Sequence, residues 1–161
     1  MQIGITEEHL TLDGIPGVLW TPENAPPAAG PRPLILLGHG GGRHKAAPEI
    51  ADRARGLVAG AGFAVLALDA PGHGDRPMNE RYNRIATENQ ARIAAGEPPA
   101  RLIAEFQALV ARQTVPEWRA ALDAVRDRVG DGPVGYWGVS LGCGLGVPFV
   151  AAEPRVRAAV F

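Results

Sequence analysis

The sequence predicts an α/β fold on a mainly parallel sheet, and three observations carry that prediction. Short, continuously apolar runs ("LILL" at 34–37, "FAVLALD" at 63–69 and "VRAAVF" at 156–161) suit strands buried on both faces. Longer stretches between them place apolar residues three and four apart, the period of a helix with one face on a core. Glycine-rich turns close the first two runs, as "GHGGGRH" and "APGHGDRP". Strands and helices that alternate in this way build α/β sheets.

Each element follows in order. "HLTL" alternates, Asp13-Gly14 supplies a turn and "VLW" resumes, which is a hairpin. Pro16 has no N–H to give a ladder, so the hairpin is expected at a sheet edge. Residues 22–33, "PENAPPAAGPRP", form a proline-rich loop. A helix over 48–61 comes next: Pro48 suits its first turn, Ile50, Ala54, Leu57 and Val58 share a face, and Gly62 stops it. Residues 77–130 read as mostly helical. Leu102, Ile103, Phe106, Leu109 and Val110 give 100–112 an amphipathic face. Thr114 and Glu117 have the spacing of a capping box with Pro116 in its first turn. That predicts a separate helix, carrying Trp118, Leu122, Val125 and Val129 up to Gly130. "PVGYWGV" is the next strand. "LGCGLGVPFVAA" is a glycine-rich helix suited to close packing on a sheet, and "VRAAVF" is the last strand.

Composition narrows the function. A length of 161 residues suits one domain, over 1–161, with a real core. The formal charge is −1 and no basic run exists, which argues against a nucleic-acid groove. Lys45 is the only lysine, a feature that reads as compositional bias. One cysteine, Cys143, excludes an internal disulfide and any multi-cysteine metal site. The start has no basic-then-apolar leader, and the apolar runs are too short to span a bilayer. The expectation is a soluble, cytoplasmic protein without a membrane partner.

The chain holds a single serine, Ser140, within Gly138-Val139-Ser140-Leu141-Gly142. This matches G-x-S-x-G between a predicted strand and a predicted helix, the context of a nucleophile elbow. So sharp a turn tolerates only small neighbours, and glycine stands on both sides. The helix that follows aims its free N–H groups at the reaction centre. His39-Gly40-Gly41-Gly42, after the "LILL" strand, is a loop whose backbone can approach a substrate closely. Acyl transfer needs two N–H donors for its oxyanion: one from the residue after the nucleophile, here Leu141, the other from such a loop.

The order strand–"GHGGG"–helix–strand–"DAPGHGDR"–helices–strand–"GVSLG"–helix–strand resembles the α/β-hydrolase superfamily. More narrowly it is similar to bacterial dienelactone-hydrolase-like enzymes and serine esterases. The resemblance covers essentially the whole chain. It implies Ser140 as nucleophile and Gly41 and Leu141 as oxyanion donors, with Gly40 or Gly42 in place of Gly41 as alternatives. His39 would order the loop, and His44 would face either pocket or solvent. His73 would sit on a structural turn near the pocket, and Asp69 would anchor that turn. The implied substrate is a small carboxylic ester, lactone or thioester, with no cofactor and no metal.

The chain departs from the family in one respect. The family order is serine, then acid, then histidine, yet no histidine or aspartate follows Ser140, and the one later acid is Glu153. The resemblance therefore implies the N-terminal part of the fold, strands 1 to 6 of eight, with the triad's acid and base missing. The alternative is a truncated, non-catalytic fragment that binds ligands or partners. The terminal strand is expected to leave an open edge suited to self-association. Residues 77–112 are a candidate helical cap, with Met78, Tyr82 and Phe106 as candidate acyl-pocket residues or simple packing residues. Cys143 is expected to pack in the helix–sheet interface.

Overall fold

The computed structural model describes residues 4–23 and 31–161. The predicted proline-rich loop at 22–33 lies mostly outside the described residues. The chain opens with a hairpin of β1 (Ile5–Leu12) and β2 (Ile15–Pro22). Asp13 and Gly14 both take positive φ, 49° and 78°, the backbone that a tight two-residue hairpin turn needs. Next come β3 (Leu34–Gly38), α1 (Pro48–Ala61), β4 (Ala64–Leu68), α2 (Glu80–Ala94) and α3 (Pro99–Val129). The chain continues through β5 (Val134–Gly138), α4 (Leu141–Ala152) and β6 (Val156–Val160).

The six strands form one mixed sheet in the order β1-β2-β4-β3-β5-β6. β1/β2 and β2/β4 are antiparallel, and the pairs among β4, β3, β5 and β6 are parallel. The hairpin lies at the sheet edge, as its proline predicts, but the outer strand is β1 and not the β2 that carries Pro16. The proline is tolerated there because the β2/β4 ladder begins only at Gly17. The Pro16 carbonyl still accepts the Asp69 N–H at 3.0 Å.

Helices cover both faces. On one, Ile50, Ala54 and Val58 of α1 pack with Val18, Trp20, Leu37 and Val65. On the other, Trp118, Leu122 and Val125 of α3 and Phe149 of α4 pack with Leu36, Leu66 and Tyr136. From β3 the chain crosses by α1 to β4 on one side, then by α2 and α3 to β5 on the other. The loops leaving β3 and β5 therefore diverge from adjacent strands at a switch in strand order. A crevice opens at such a point in α/β sheets.

The predicted separate helix at Thr114 does not form. α3 runs unbroken for 31 residues with Pro116 inside it. Thr114 is buried rather than capping, and Glu117 turns to Arg76 and Gln113 instead of to the backbone. The cause is tertiary. Val110, Ala111, Thr114, Trp118, Ala121, Leu122 and Val125 are all buried on this helix at three- and four-residue spacing. That continuous stripe outweighs the local break offered by an exposed proline.

At the far end of α4, Glu153 is buried among arginines. It accepts from the Arg155 backbone N–H at 3.0 Å and twice from its guanidinium, and Arg119 lies 3.3 Å away. Arg155 also reaches Asp123. The Arg155 hydrogen bonds outweigh burial and hold the Glu153 carboxyl down at about 2, from an ordinary 4.5. A depressed acid stabilises the fold above its unfolded pKa and loses that contribution as pH falls. The shift corresponds to at most roughly 3 kcal/mol. Wild type is expected to lose stability between pH 4.5 and about 2, and Glu153→Gln to have a flatter acid limb there. Urea midpoints measured across that range check it, and parallel curves would remove Glu153 as the cause.

Candidate active site

Between the end of β5 and the start of α4 lie only Val139 and Ser140. Ser140 is exposed and holds φ 50° and ψ −107°, a strained conformation for a residue with a Cβ. Hydrogen bonds on both sides impose it. The Val139 N–H donates to the Gly38 carbonyl at 3.0 Å, and the Ser140 carbonyl accepts from the Cys143 and Gly144 N–H groups at 2.9 and 3.2 Å. The flanking glycines are required by close approach. A Cβ on Gly138 would stand 2.7 Å from the Gly142 carbonyl oxygen, and one on Gly142 would overlap the Gly38 carbonyl. From within the core the Tyr136 hydroxyl donates to the Gly142 carbonyl at 2.6 Å. Burial pushes the Tyr136 phenol well up, so it stays a donor.

The loop after β3 runs beside this turn. A Cβ on Gly40 would be 3.9 Å from that of Ser140, one on Gly41 would meet open space, and Gly42 takes φ 70°. A hollow of about 200 Å³ lies here, with Gly40, Gly41, Val139, Ser140 and Ile50 among its lining. On the other face of the sheet Leu141 packs against a cluster that includes Tyr82, Val110 and Leu145, with Met78 and Phe106. Tyr82 and Phe106 meet edge to face, 6.3 Å apart. Met78, Tyr82 and Phe106 thus join α2 to α3 in the same cluster as the residue after the serine. A larger apolar groove, about 610 Å³, runs between α3 and α4 past Val115, Gly144 and Pro148, and its lining does not include Ser140.

The histidines are placed as follows. His39 is buried, and its Nε2 accepts from the Ala70 N–H at 3.0 Å. That bond leaves Nδ1 protonated, and Nδ1 donates to the Gly40 carbonyl at 2.8 Å. Burial pulls its pKa below the ordinary value, so the ring stays neutral and ties the glycine loop to the loop after β4. His73 is partly buried, with Nδ1 2.9 Å from the Pro71 carbonyl and its ring 5.2 Å from that of His39. His44 is exposed, and its Nδ1 accepts from the Ala46 N–H at 3.2 Å. Among the described residues no group of three or more His, Cys, Asp or Glu is arranged to hold a metal ion.

Beneath both loops lies an ion pair. The Lys45 Nζ donates to Asp69 at 2.8 Å and to Asp75 at 2.6 Å. Asp69 also accepts the Lys45 and Asp75 backbone N–H groups, each at 2.9 Å. Burial works to lower the Lys45 pKa, but the hydrogen bonds to Asp69 and Asp75 outweigh it and leave the ammonium held above its ordinary value. The Lys45 bonds likewise hold the Asp75 carboxyl below its usual range.

A strained turn between a parallel strand and a helix thus lies beside a glycine loop at a switch in strand order. The family model for the alpha/beta hydrolase fold matches residues 33–161. The chain belongs to the alpha/beta hydrolase fold family. Among solved structures, a cold-adapted esterase from an Arctic intertidal metagenomic library is 30% identical, with TM-score 0.65. That match covers 99% of this chain and 60% of the esterase. TT1662 from Thermus thermophilus is 26% identical at TM-score 0.64, over 98% of this chain and 56% of that one. The Pyrococcus furiosus esterase Pf2001 shares the fold at 14% identity and TM-score 0.58, over 98% and 51%. No curated protein matches. This alpha/beta hydrolase chain therefore spans about three fifths of the length of the esterase it matches at 30% identity.

In this alpha/beta hydrolase the structure brings Ser140, Gly40 and Gly41 together around one hollow, with Leu141 next in the chain. His39 lies behind on the glycine loop after β3, His73 lies on the loop after β4, and His44 stands in solvent. Asp69 anchors its turn as read from the sequence. The ammonium of Lys45, the only lysine in the sequence, is the buried partner of Asp69, a role that composition does not reveal. Tyr136 was not legible as a support of the turn. Its one signal is a tyrosine four residues before the serine, and only the fold puts its hydroxyl on Gly142.

Proposed function

We propose that the chain carries the nucleophile and oxyanion donors of a serine-dependent hydrolase of carboxylic esters, lactones or thioesters. The observation that carries this reading is the strained, exposed Ser140 at the N-terminal end of α4, beside the glycine loop. Its hydroxyl would attack the acyl carbon, the alcohol or thiol would leave, and water would release the acyl group from Ser140. The N–H groups of Leu141 and Gly41 would stabilise the oxyanion, with Gly40 or Gly42 as alternatives to Gly41. The cold-adapted esterase at 30% identity supports an ester as substrate. Residues 77–112 would act as a cap, a reading supported by α2, which packs on α3 and has Tyr82 as its one buried residue. The cytoplasm is the location this reading adopts.

The general base is not among His39, His44 and His73 in this reading. His39 already uses both ring nitrogens, and each of the other two uses one for a bond to its own loop. The acid and base would come from outside residues 1–161. The same placement favours the second reading, a fragment that binds without turning over. Within residues 1–161 β6 is the last strand of the sheet, and Val160 at its end and Phe161 beyond it are exposed, at 55% and 53%. Such an edge invites pairing with another chain.

The test is to purify residues 1–161, measure the mass in solution, and follow labelling by a fluorophosphonate with peptide mapping. Self-association and slow labelling confined to Ser140 are the expected results. Fast labelling by a monomer would place the base inside the chain, and labelling anywhere but Ser140 would overturn the nucleophile assignment.

A further inference from the structure

The hollow beside Ser140 is not electrically neutral. Besides Gly40, Gly41 and the serine, Arg43, Glu49 and Arg53 line it. Glu49, Ile50 and Arg53 come from the first two turns of α1, where spacings of three and four put them on one face. Two guanidinium groups thus meet one carboxylate. Arg43 Nε pairs with Glu49 at 3.1 Å, and both side chains are well exposed, so that pair is weak and screened.

Arg53 is differently held. Its guanidinium carbon stands 4.2 Å from the centre of the Trp137 indole, and it has no carboxylate partner in the ion pairs of the described residues. Trp137 lies three residues before the serine on β5, so the stack fixes Arg53 relative to the nucleophile's own strand. A cation held over an aromatic face loses less freedom on taking a ligand and keeps its N–H donors for an oxyanion partner. The N-terminal ends of α1 and α4 both border the hollow and add positive potential.

Resting on the reading of Ser140 as nucleophile, we propose that this hydrolase selects esters whose acyl part bears a carboxylate, with Arg53 as the residue that receives it. The substrates are monoesters of short dicarboxylic acids. The hollow's 200 Å³ is smaller than a drug-sized pocket, so a short acyl chain fits it. The scissile carbonyl would lie at Ser140 and the distal carboxylate would lie toward α1, accepting hydrogen bonds from Arg53 with Arg43 as a second donor. Glu49 then repels a carboxylate placed further out and fixes the acyl chain's direction.

The test uses residues 1–161 and a matched pair of ligands, monomethyl glutarate and methyl valerate, with affinity read by ligand-observed NMR. Binding needs no turnover, so its outcome is independent of the missing base. The anionic ester is expected to bind at least tenfold tighter, by an advantage that shrinks as salt is raised. Arg53→Gln should abolish the preference, and Arg53→Lys should restore part of it. Equal affinities, a preference indifferent to salt, or a preference that survives Arg53→Gln would each overturn the proposal. Ser140→Ala separates the two readings. The carboxylate preference should persist in it, whereas fluorophosphonate labelling that also persisted would sink the nucleophile assignment and leave the carboxylate subsite standing.

Discussion

Ser140→Ala is expected to lower kcat by a factor on the order of 10⁶ once the chain is joined to a segment that supplies the late histidine and acid, by analogy with serine proteases. Without that segment the same substitution should hardly change turnover. Groups that act as a unit lose their effect together, and a serine hydroxyl with no base is already a weak nucleophile. The two measurements bracket the role of Ser140. A completed enzyme that kept its activity as alanine would exclude it. Stability should not fall, because the exposed hydroxyl donates no side-chain hydrogen bond that caps α4. Ser140→Gly should be equally inactive but more stable than Ser140→Ala. Glycine takes φ 50° and ψ −107° without the strain, which costs on the order of 1–3 kcal/mol in other residues. Kinetics on a nitrophenyl ester together with urea unfolding of the three proteins decide this.

Asp69→Ala is expected to cost about 3–5 kcal/mol, the largest stability loss of any single change considered. The Asp69 side chain is fully buried and is the hub of two loops: it accepts from Lys45 twice and from the Asp75 backbone once. Gly74, at φ 58°, folds so close over the carboxylate that a Cβ there would overlap it. Removing the carboxylate leaves a buried ammonium with only the exposed Asp75 as partner. The loop after β3 carries the glycines that meet Ser140, so this change should loosen the site as well as the fold. The urea midpoint of Asp69→Ala, set against that of Lys45→Met/Asp69→Leu, separates the causes. The double change removes both charges and should recover most of the loss. A single-mutant loss below about 1 kcal/mol would show that the pair is not the fastening it is taken to be.

What the sequence determined by itself lies in features that act over a few residues. A run such as "AVLAL", apolar at every position, suits burial on both faces, and β4 is buried throughout. Gly62 at φ 69° ends α1 where predicted. Gly138 and Gly142 around one serine announce a tight strand-to-helix turn, because a Cβ on Gly138 would meet Gly142 and one on Gly142 would meet Gly38. Strand order, in contrast, is a property of the whole sheet. It puts β3 between β4 and β5 and so joins residues far apart in the chain. Lys45 meets Asp69 across 24 positions, and His39 meets Ala70 across 31. Nothing local distinguishes Lys45 from a solvated lysine, or Arg53 from any exposed arginine on α1. Only tertiary structure decided that Pro116 would be carried through α3, since the apolar stripe facing the sheet outweighs a local capping box. The same holds for Tyr136, whose hydroxyl finds the Gly142 carbonyl only when α4 packs back onto β5. Local backbone preference writes the elements and the turn at Ser140. Burial and pairing across the sheet choose which charges and donors surround it.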